Sequence, residues 1–231
     1  MEESAPDAPQ GTPAALTRPS LGEPRWPAAM LIVAIITLQL LLPSSITGTF
    51  APIVALIEVL LLGVIVSINP RRINREGRWL RALGLLLIAF ISLANAVAMS
   101  RLVDSILHTN DLRSPSELLF TGGNIWLANV LIFALWYWDL DHGGPAARAL
   151  RPHPAPDFLF PQMQPGVPGG ADWRPHVVDY LYVSFTNSTA FSPTDTMPLS
   201  RWAKMAMMLQ AAISLITLAL VVARAINVLP N

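Results

Sequence analysis

Long runs without charged residues constrain this chain more than any other feature. Residues 26–70 contain one charged residue, Glu58, and residues 82–100 contain none. A helix needs about 20 mostly apolar residues to cross roughly 30 Å of hydrocarbon. Charged residues make up 13% of the whole chain, against about 25% in a typical soluble domain. The sequence therefore predicts an all-α integral membrane helical bundle embedded in a lipid bilayer.

Breaks in the apolar runs predict about five transmembrane helices. Pro43 and Gly48 divide the first run, and aromatic residues typical of a membrane interface end the fourth helix. We expect the helices at about 27–42, 48–68, 79–103, 120–138 and 202–228. The first four form a region at 26–138, and the tail at 1–25 is predicted to be disordered because it has no apolar run.

The stretch between the fourth and fifth helices divides into two parts. Residues 139–176 are rich in Pro and Gly, which predicts a long polar loop. Residues 177–192 are partly apolar but short and rich in Ser and Thr. They are predicted to form either a re-entrant or interfacial segment or a sixth crossing. Together with the final helix they make up the last region, 177–231.

Basic residues predict how the bundle is oriented. The turn at 69–81 carries five Arg and one acidic residue, Glu76, and Arg and Lys accumulate in cytoplasmic loops. We therefore expect this turn and the N-terminus to be cytoplasmic, in an inner (plasma) membrane. Five crossings put the C-terminus outside and six put it inside. Fourteen of the fifteen basic residues are Arg, which we interpret as the composition of a GC-rich bacterial genome.

Several classes of function have no support in the sequence. There are no cysteines and the formal net charge is zero, so nothing suggests thiolate metal sites or nucleic-acid binding. Nucleotide-binding loops and zinc-binding helix motifs are absent from the sequence. Asp139, Asp141 and His142 are more typical of a solvated polar cap than of a divalent-cation site. We predict no enzyme activity, no catalytic residue, no metal and no cofactor.

Glu58 is the clearest ionisable residue inside a predicted span. An ionisable group at mid-bilayer costs several kcal/mol and suggests a function. Glu58 is either a proton or cation site or a neutral, hydrogen-bonded glutamic acid that joins two helices. Arg224, near the end of the fifth helix, either extends to the interface or reaches inward towards Glu58.

The fifth helix carries a stripe of polar residues spaced by four, three and seven positions. Its members are Gln210, Ser214, Thr217 and Arg224. This spacing places them on one helical face, which contacts protein or water rather than lipid. The stripe either lines a conduit or supplies interhelical hydrogen bonds. Candidate partners on other helices are Gln39, Ser92, Asn95 and Asn129.

Residues 179–228 resemble two groups of membrane proteins. Tyr182-x-Ser184-Phe185, the Thr194-Asp195 step and the final helix resemble bacterial multi-span proteins that carry a domain-of-unknown-function label. The same stretch looks like the pore helix and inner helix of two-span potassium channels. That likeness implies a homo-oligomeric, channel-like conduit for a monovalent cation or proton. It adds Asn187, Thr189 and Asp195 as ion-pathway candidates.

The channel likeness does not extend to the potassium filter. With Asp195 aligned to the filter aspartate, Ser192, Pro193 and Thr194 fall where Gly-Tyr-Gly would lie. Those glycines allow the backbone geometry that directs carbonyl groups at the ion. Two hypotheses remain from the sequence: a conduit without a potassium-type filter, and a non-conducting structural or partner-binding membrane protein.

Overall fold

The computed structural model describes residues 20, 22–68, 72–73, 77–108, 114–150, 156–164, 166–189 and 195–228. This part of the chain contains eight α-helices and four two-residue strands. The helices are α1 Trp26–Leu40, α2 Ser44–Thr47, α3 Ala51–Ile68, α4 Arg78–His108, α5 Pro115–Leu140, α6 Pro145–Leu150, α7 Val177–Ser188 and α8 Arg201–Val228. The predicted tail, except for residues 20 and 22–25, and the filter-aligned residues 192–194 lie outside the described residues.

Four helices are long and apolar enough to cross a membrane, which confirms the all-α bundle of membrane type. They are α3, α4, α5 and α8. The first predicted span, at about 27–42, corresponds to α1, which has 15 residues and a length of about 22 Å. The outer surfaces of these helices expose many large apolar side chains, as expected for helices that face lipid.

The helices alternate in direction between two ends of the bundle. Strand β1 (Glu23–Pro24), just before α1, pairs with β2 (Arg72–Ile73), which lies between α3 and α4. Glu23 also accepts a hydrogen bond from Trp138 near the end of α5. The start of α1, the end of α3, the start of α4 and the end of α5 therefore meet at one end. We call it the loop end and the opposite one the far end.

The loop after α5 folds back on the loop end instead of extending into solvent. Phe158 is fully buried between the rings of Tyr137, Tyr180 and Trp202. Strand β3 (Phe158–Leu159) pairs with β4 (Met197–Pro198), just before α8. Aromatic packing thus joins residues 156–164 to the core of the bundle, although the sequence predicts only a polar loop there.

Helix α7 begins at the loop end and extends into the bundle. Tyr180 in its first turn donates a hydrogen bond to Asp141 at the end of α5. One and a half turns further, the ring of Phe185 lies 6.0 Å from that of Trp126, about 21 Å before the end of α5 by helix rise. The chain is back at the loop end at β4. The start of α7 and β4 thus both lie at the loop end, while residues 190–192 of the predicted segment lie outside the described residues.

Candidate functional site

Gln210 is the centre of a buried polar cluster between α5, α7 and α8. Its side chain is fully buried. The amide oxygen accepts hydrogen bonds from the Tyr137 hydroxyl at 2.6 Å and from Asn187 Nδ2 at 2.9 Å. The amide nitrogen contacts Ser184 Oγ at 2.6 Å and Ser188 Oγ at 2.7 Å. Each polar end of the glutamine is therefore satisfied by protein.

The cluster also satisfies the polar atoms around Gln210. Ser184 Oγ donates to the Val130 carbonyl at 2.6 Å, and Asn187 Nδ2 donates to the Met207 carbonyl at 2.9 Å. Carbonyls of helices are normally occupied by their own backbone bonds, so these contacts use the second acceptor position of the oxygen. The bonds fasten the short helix α7 to both of its long neighbours.

Two further members of the α8 stripe, Ser214 and Thr217, also face protein. Ser214 is fully buried and accepts a hydrogen bond of 3.2 Å from Asn129 on α5, which confirms Asn129 as a partner. Thr217 is buried, bonds its own helix at the Ile213 carbonyl and contacts the sulfur of Met99. Residues Gln210, Ser214 and Thr217 therefore form helix–helix contacts within this single chain.

Glu58 is fully buried between α1 and α3. With its amide oriented to donate, Gln39 makes hydrogen bonds of 3.0 and 3.2 Å to the two carboxyl oxygens of Glu58. Gln39, one of the predicted polar partners, thus belongs to Glu58 and not to α8. This contact fits the prediction of a glutamic acid that joins two helices. Arg224 is half-buried on α8.

The remaining pathway candidates lie along the return from α7. Thr189 follows the last turn of α7, is half-buried, and donates to the Thr186 carbonyl at 3.0 Å. Asp195 is exposed, and the Tyr182 hydroxyl lies 3.5 Å from its Oδ2. The structure therefore does not bring these two residues together with the α8 stripe into one water-facing surface within the chain.

A charged cluster holds the loop end together. Arg148 on α6 bonds the Glu23 carboxylate at 2.8 Å and the carbonyls of Trp138 and Asp141 at 2.7 and 2.8 Å. Burial opposes its charge, but the neighbouring carboxylates of Glu23 and Asp141 raise the pKa of Arg148 above its usual value. Arg148 therefore stays charged and ties the N-terminal strand to the end of α5.

Asp141 is buried in this cluster and is not part of a solvated cap. Its Oδ1 accepts the backbone N–H groups of Asp157 and Phe158, and its Oδ2 accepts the Tyr180 hydroxyl at 2.5 Å. The carboxylate thus organises the loop and the start of α7. Across the described residues, no group of three or more His, Cys, Asp or Glu side chains is placed to hold a metal ion.

A cavity of about 490 Å³ opens at the loop end between α1, α3, α4 and α5. Arg25, Arg78 and Arg81 line it together with Asp139, and its deeper walls are apolar. Arg25 and Asp139 are each only 9% exposed. The Nε atom of Arg25 and Oδ2 of Asp139 have no hydrogen-bond partner among the described residues. In the Gln210 cluster, by contrast, the polar groups are paired.

Sequence reasoning missed both the loop-end cluster and the cavity. Glu23 was assigned to the tail, although it is an ion-pair partner of Arg148 at 2.8 Å. The aromatic residues Phe158, Phe160 and Trp173, set among prolines, were the available signal that this loop packs. The cavity left no signal, because its lining comes from five helices, strand β2 and the α5–α6 loop.

Comparisons with known proteins give no further identification. No protein-family model, curated protein or solved structure matches this chain. The resemblance of residues 179–228 to bacterial multi-span proteins and to channel pore units therefore stays a prediction.

Proposed function

We propose that this chain is a non-conducting, multi-pass membrane protein that acts as a structural or partner-binding component of the bilayer. The observation that carries the proposal is the burial of the α8 stripe, since Gln210 and Ser214 are both 0% exposed. A residue that lines an ion pathway must contact water or the ion. In this chain those side chains contact α5 and α7 instead.

The orientation of the protein is part of the proposal. Seven of the basic residues at the loop end belong to described elements or their immediate caps: Arg25, Arg72, Arg78, Arg81, Arg148, Arg201 and Lys204. Arg101 lies at the far end, where it donates to the Ile46 carbonyl. By the positive-inside rule the loop end is cytoplasmic, and the re-entrant helix α7 then enters from the cytoplasm.

A second candidate, an ion conduit between copies of the chain, is favoured by the path of α7. A helix that enters the bundle and returns to the same end is the arrangement of channel pore helices that the sequence resemblance implies. In such an oligomer Asp195, which is exposed, would face the pathway. Asn187 and Thr189 would stabilise the C-terminal end of α7 next to that pathway.

Reconstitution into liposomes separates the two candidates. Cation and proton flux would be measured with several ions and several membrane voltages, using the full chain and empty liposomes. We expect no flux above that of empty liposomes. Equal incorporation of protein would be verified by protease protection, so that an absence of flux reflects the protein itself.

The variants Glu58→Gln and Asp195→Asn make the flux test specific. If the wild-type chain conducts and Asp195→Asn reduces the conductance, the conduit between copies is correct and our proposal is wrong. If Glu58→Gln alone abolishes proton flux, Glu58 is a proton site and the proposal fails as well. Identical background leak in all three proteins is the expected result.

Sidedness has its own test, because the chain contains no cysteine. Asp195→Cys introduces one thiol at an exposed position of the loop end. We expect an impermeant thiol reagent to label it only from the cytoplasmic side of oriented membrane vesicles. Labelling from the opposite side would reverse the proposed orientation.

A further inference from the structure

We propose that the loop-end cavity binds one anionic phospholipid, with the headgroup phosphate at Arg25 and an acyl chain along the apolar walls. This inference goes beyond the proposed function and does not depend on it. It is based on the shape of the cavity, on two buried atoms without hydrogen-bond partners in the described structure, Arg25 Nε and Asp139 Oδ2, and on the position of both residues at the loop end.

The buried arginine is the first step of the argument. Arg25 immediately precedes α1, is 9% exposed and lines the cavity. Burial lowers the pKa of Arg25, because a charge removed from water without compensation is unfavourable. Its Nε atom has no acceptor among the described residues. A phosphate oxygen in the cavity would supply that acceptor and a compensating charge.

The net charge of the cavity selects the charge of the ligand. Three cations, Arg25, Arg78 and Arg81, line it against one carboxylate, Asp139. Arg78 and Arg81 are exposed at the start of α4, so they can approach a headgroup from the interface. An anionic ligand is therefore favoured over a neutral or cationic one.

Asp139 adds a requirement for a hydrogen-bond donor. Its Oδ2 atom is buried and lacks a partner in the described structure. A headgroup that carries hydroxyl groups, such as the glycerol of phosphatidylglycerol, offers a donor to this oxygen while its phosphate faces Arg25. Inorganic phosphate at neutral pH also carries an O–H donor, but it has no acyl chain to contact the apolar walls of the cavity.

The walls favour a lipid over a small soluble anion. The deeper lining is apolar and comes from four helices: Ile32, Ile65, Leu87, Ile88 and Leu135. The volume of about 490 Å³ lies in the range of ligand sites that bury most of their ligand. Trp79, next to Arg78, is 90% exposed. Tryptophan is typical of the headgroup level of a membrane.

The test uses the full chain purified in detergent and measured by native mass spectrometry with added lipids. We expect phosphatidylglycerol to bind one molecule per chain, about tenfold more tightly than phosphatidylcholine. Arg25→Gln should weaken phosphatidylglycerol binding about tenfold, the usual consequence of losing one charge-assisted hydrogen bond. The matched control is Arg201→Gln, at an exposed position of the same end that does not line the cavity.

A second pair of variants tests the acyl-chain part without changing charge. Gly84 lines the cavity and has no atom within 4 Å of an added Cβ, so Gly84→Leu fills space without a clash at Cβ. Gly63, which is equally open but does not line the cavity, gives the control Gly63→Leu. Replacing a helical glycine favours the helix, so neither change is expected to prevent folding.

Three results would overturn the proposal. The first is equal binding of phosphatidylglycerol and phosphatidylcholine. The second is an equal loss of binding in Arg25→Gln and Arg201→Gln, or in Gly84→Leu and Gly63→Leu. The third is thermal protection by inorganic phosphate alone that matches the protection by phosphatidylglycerol, which would make the cavity a site for a free anion.

Discussion

The two faces of α5 contain opposite kinds of polar environment. Tyr137 points into the Gln210 cluster, whereas Asp139 lines the loop-end cavity. Positions that are two residues apart in a helix lie about 200° apart around its axis. Opposite faces of α5 therefore contribute to the two regions. In the cluster each polar end of Gln210 has protein partners, while in the cavity Oδ2 of Asp139 has none.

This difference separates a cluster whose polar atoms are paired within the chain from a cavity that contains two buried polar atoms, Arg25 Nε and Asp139 Oδ2, without a protein partner. A buried polar group without a partner costs about 1–3 kcal/mol. Helix packing alone accounts for the paired polar groups of the Gln210 cluster. The proposed phospholipid would supply hydrogen-bond partners for the unpaired atoms of Arg25 and Asp139.

The largest effect is expected at Arg148. Arg148→Met removes the buried partner of Glu23 and two carbonyl contacts. Breaking a buried ion pair typically costs about 3–5 kcal/mol, so the free energy of unfolding in detergent should fall by about that amount. The exposed Arg201→Met is the control. A loss below about 1 kcal/mol would show that the loop end is held together by aromatic packing alone.

Gln210→Leu should produce the next largest loss. It removes the acceptor of Tyr137 and Asn187 and the donor to Ser184 and Ser188. With several buried groups left unpaired, we expect a loss of about 2–3 kcal/mol in unfolding free energy. Gln164→Leu, at an exposed loop position, is the control. A neutral result would mean that water replaces the lost bonds, as a conduit would require.

Substitutions at two glycines compare the packing next to α8 with the packing at the loop-end cavity. A Cβ at Gly122 would lie 2.5 Å from Val221 Cγ2 on α8, whereas a Cβ at Gly84 meets no atom within 4 Å. We expect Gly122→Ala to lower the free energy of unfolding by about 1–3 kcal/mol through overpacking. Gly84→Ala should be neutral or slightly stabilising. Equal effects would contradict the contrast between a packed and an open side.

The smallest effect is expected from Arg25→Leu in protein stripped of lipid. Because the guanidinium Nε has no protein acceptor among the described residues, its removal should change the free energy of unfolding by less than about 1 kcal/mol, or raise it. With phosphatidylglycerol present, wild type should gain stability that the variant does not. A large loss in lipid-free protein would reveal a structural role for Arg25.

Much of the fold could be predicted because lipid imposes a simple rule on sequence. Runs such as 82–100 have to be helices, since only internal hydrogen bonding satisfies a backbone in hydrocarbon. The Ser214–Asn129 bond was also predictable, because a polar stripe must face protein or water. The pairing of Glu58 with Gln39 was harder, since it depends on how α1 packs against α3.

The loop end could not be predicted for a physical reason. Its contacts join residues far apart in sequence, such as Glu23 with Arg148 and Tyr180 with Asp141. No local periodicity encodes such pairs. Prolines around Phe158 and Phe160 suggested an open loop, yet their rings supply the apolar area that the loop buries. The cavity likewise arises only from the arrangement of several helices.

The most direct test of this account is to measure whether water reaches the α8 stripe. Ser214→Cys places one thiol at a fully buried position of a chain without cysteine, and Asp172→Cys places one on an exposed part of the loop. With protein in membranes, a hydrophilic thiol reagent should label position 172 completely and leave position 214 unlabelled. Rapid labelling of position 214 would show water along α8 and contradict the account.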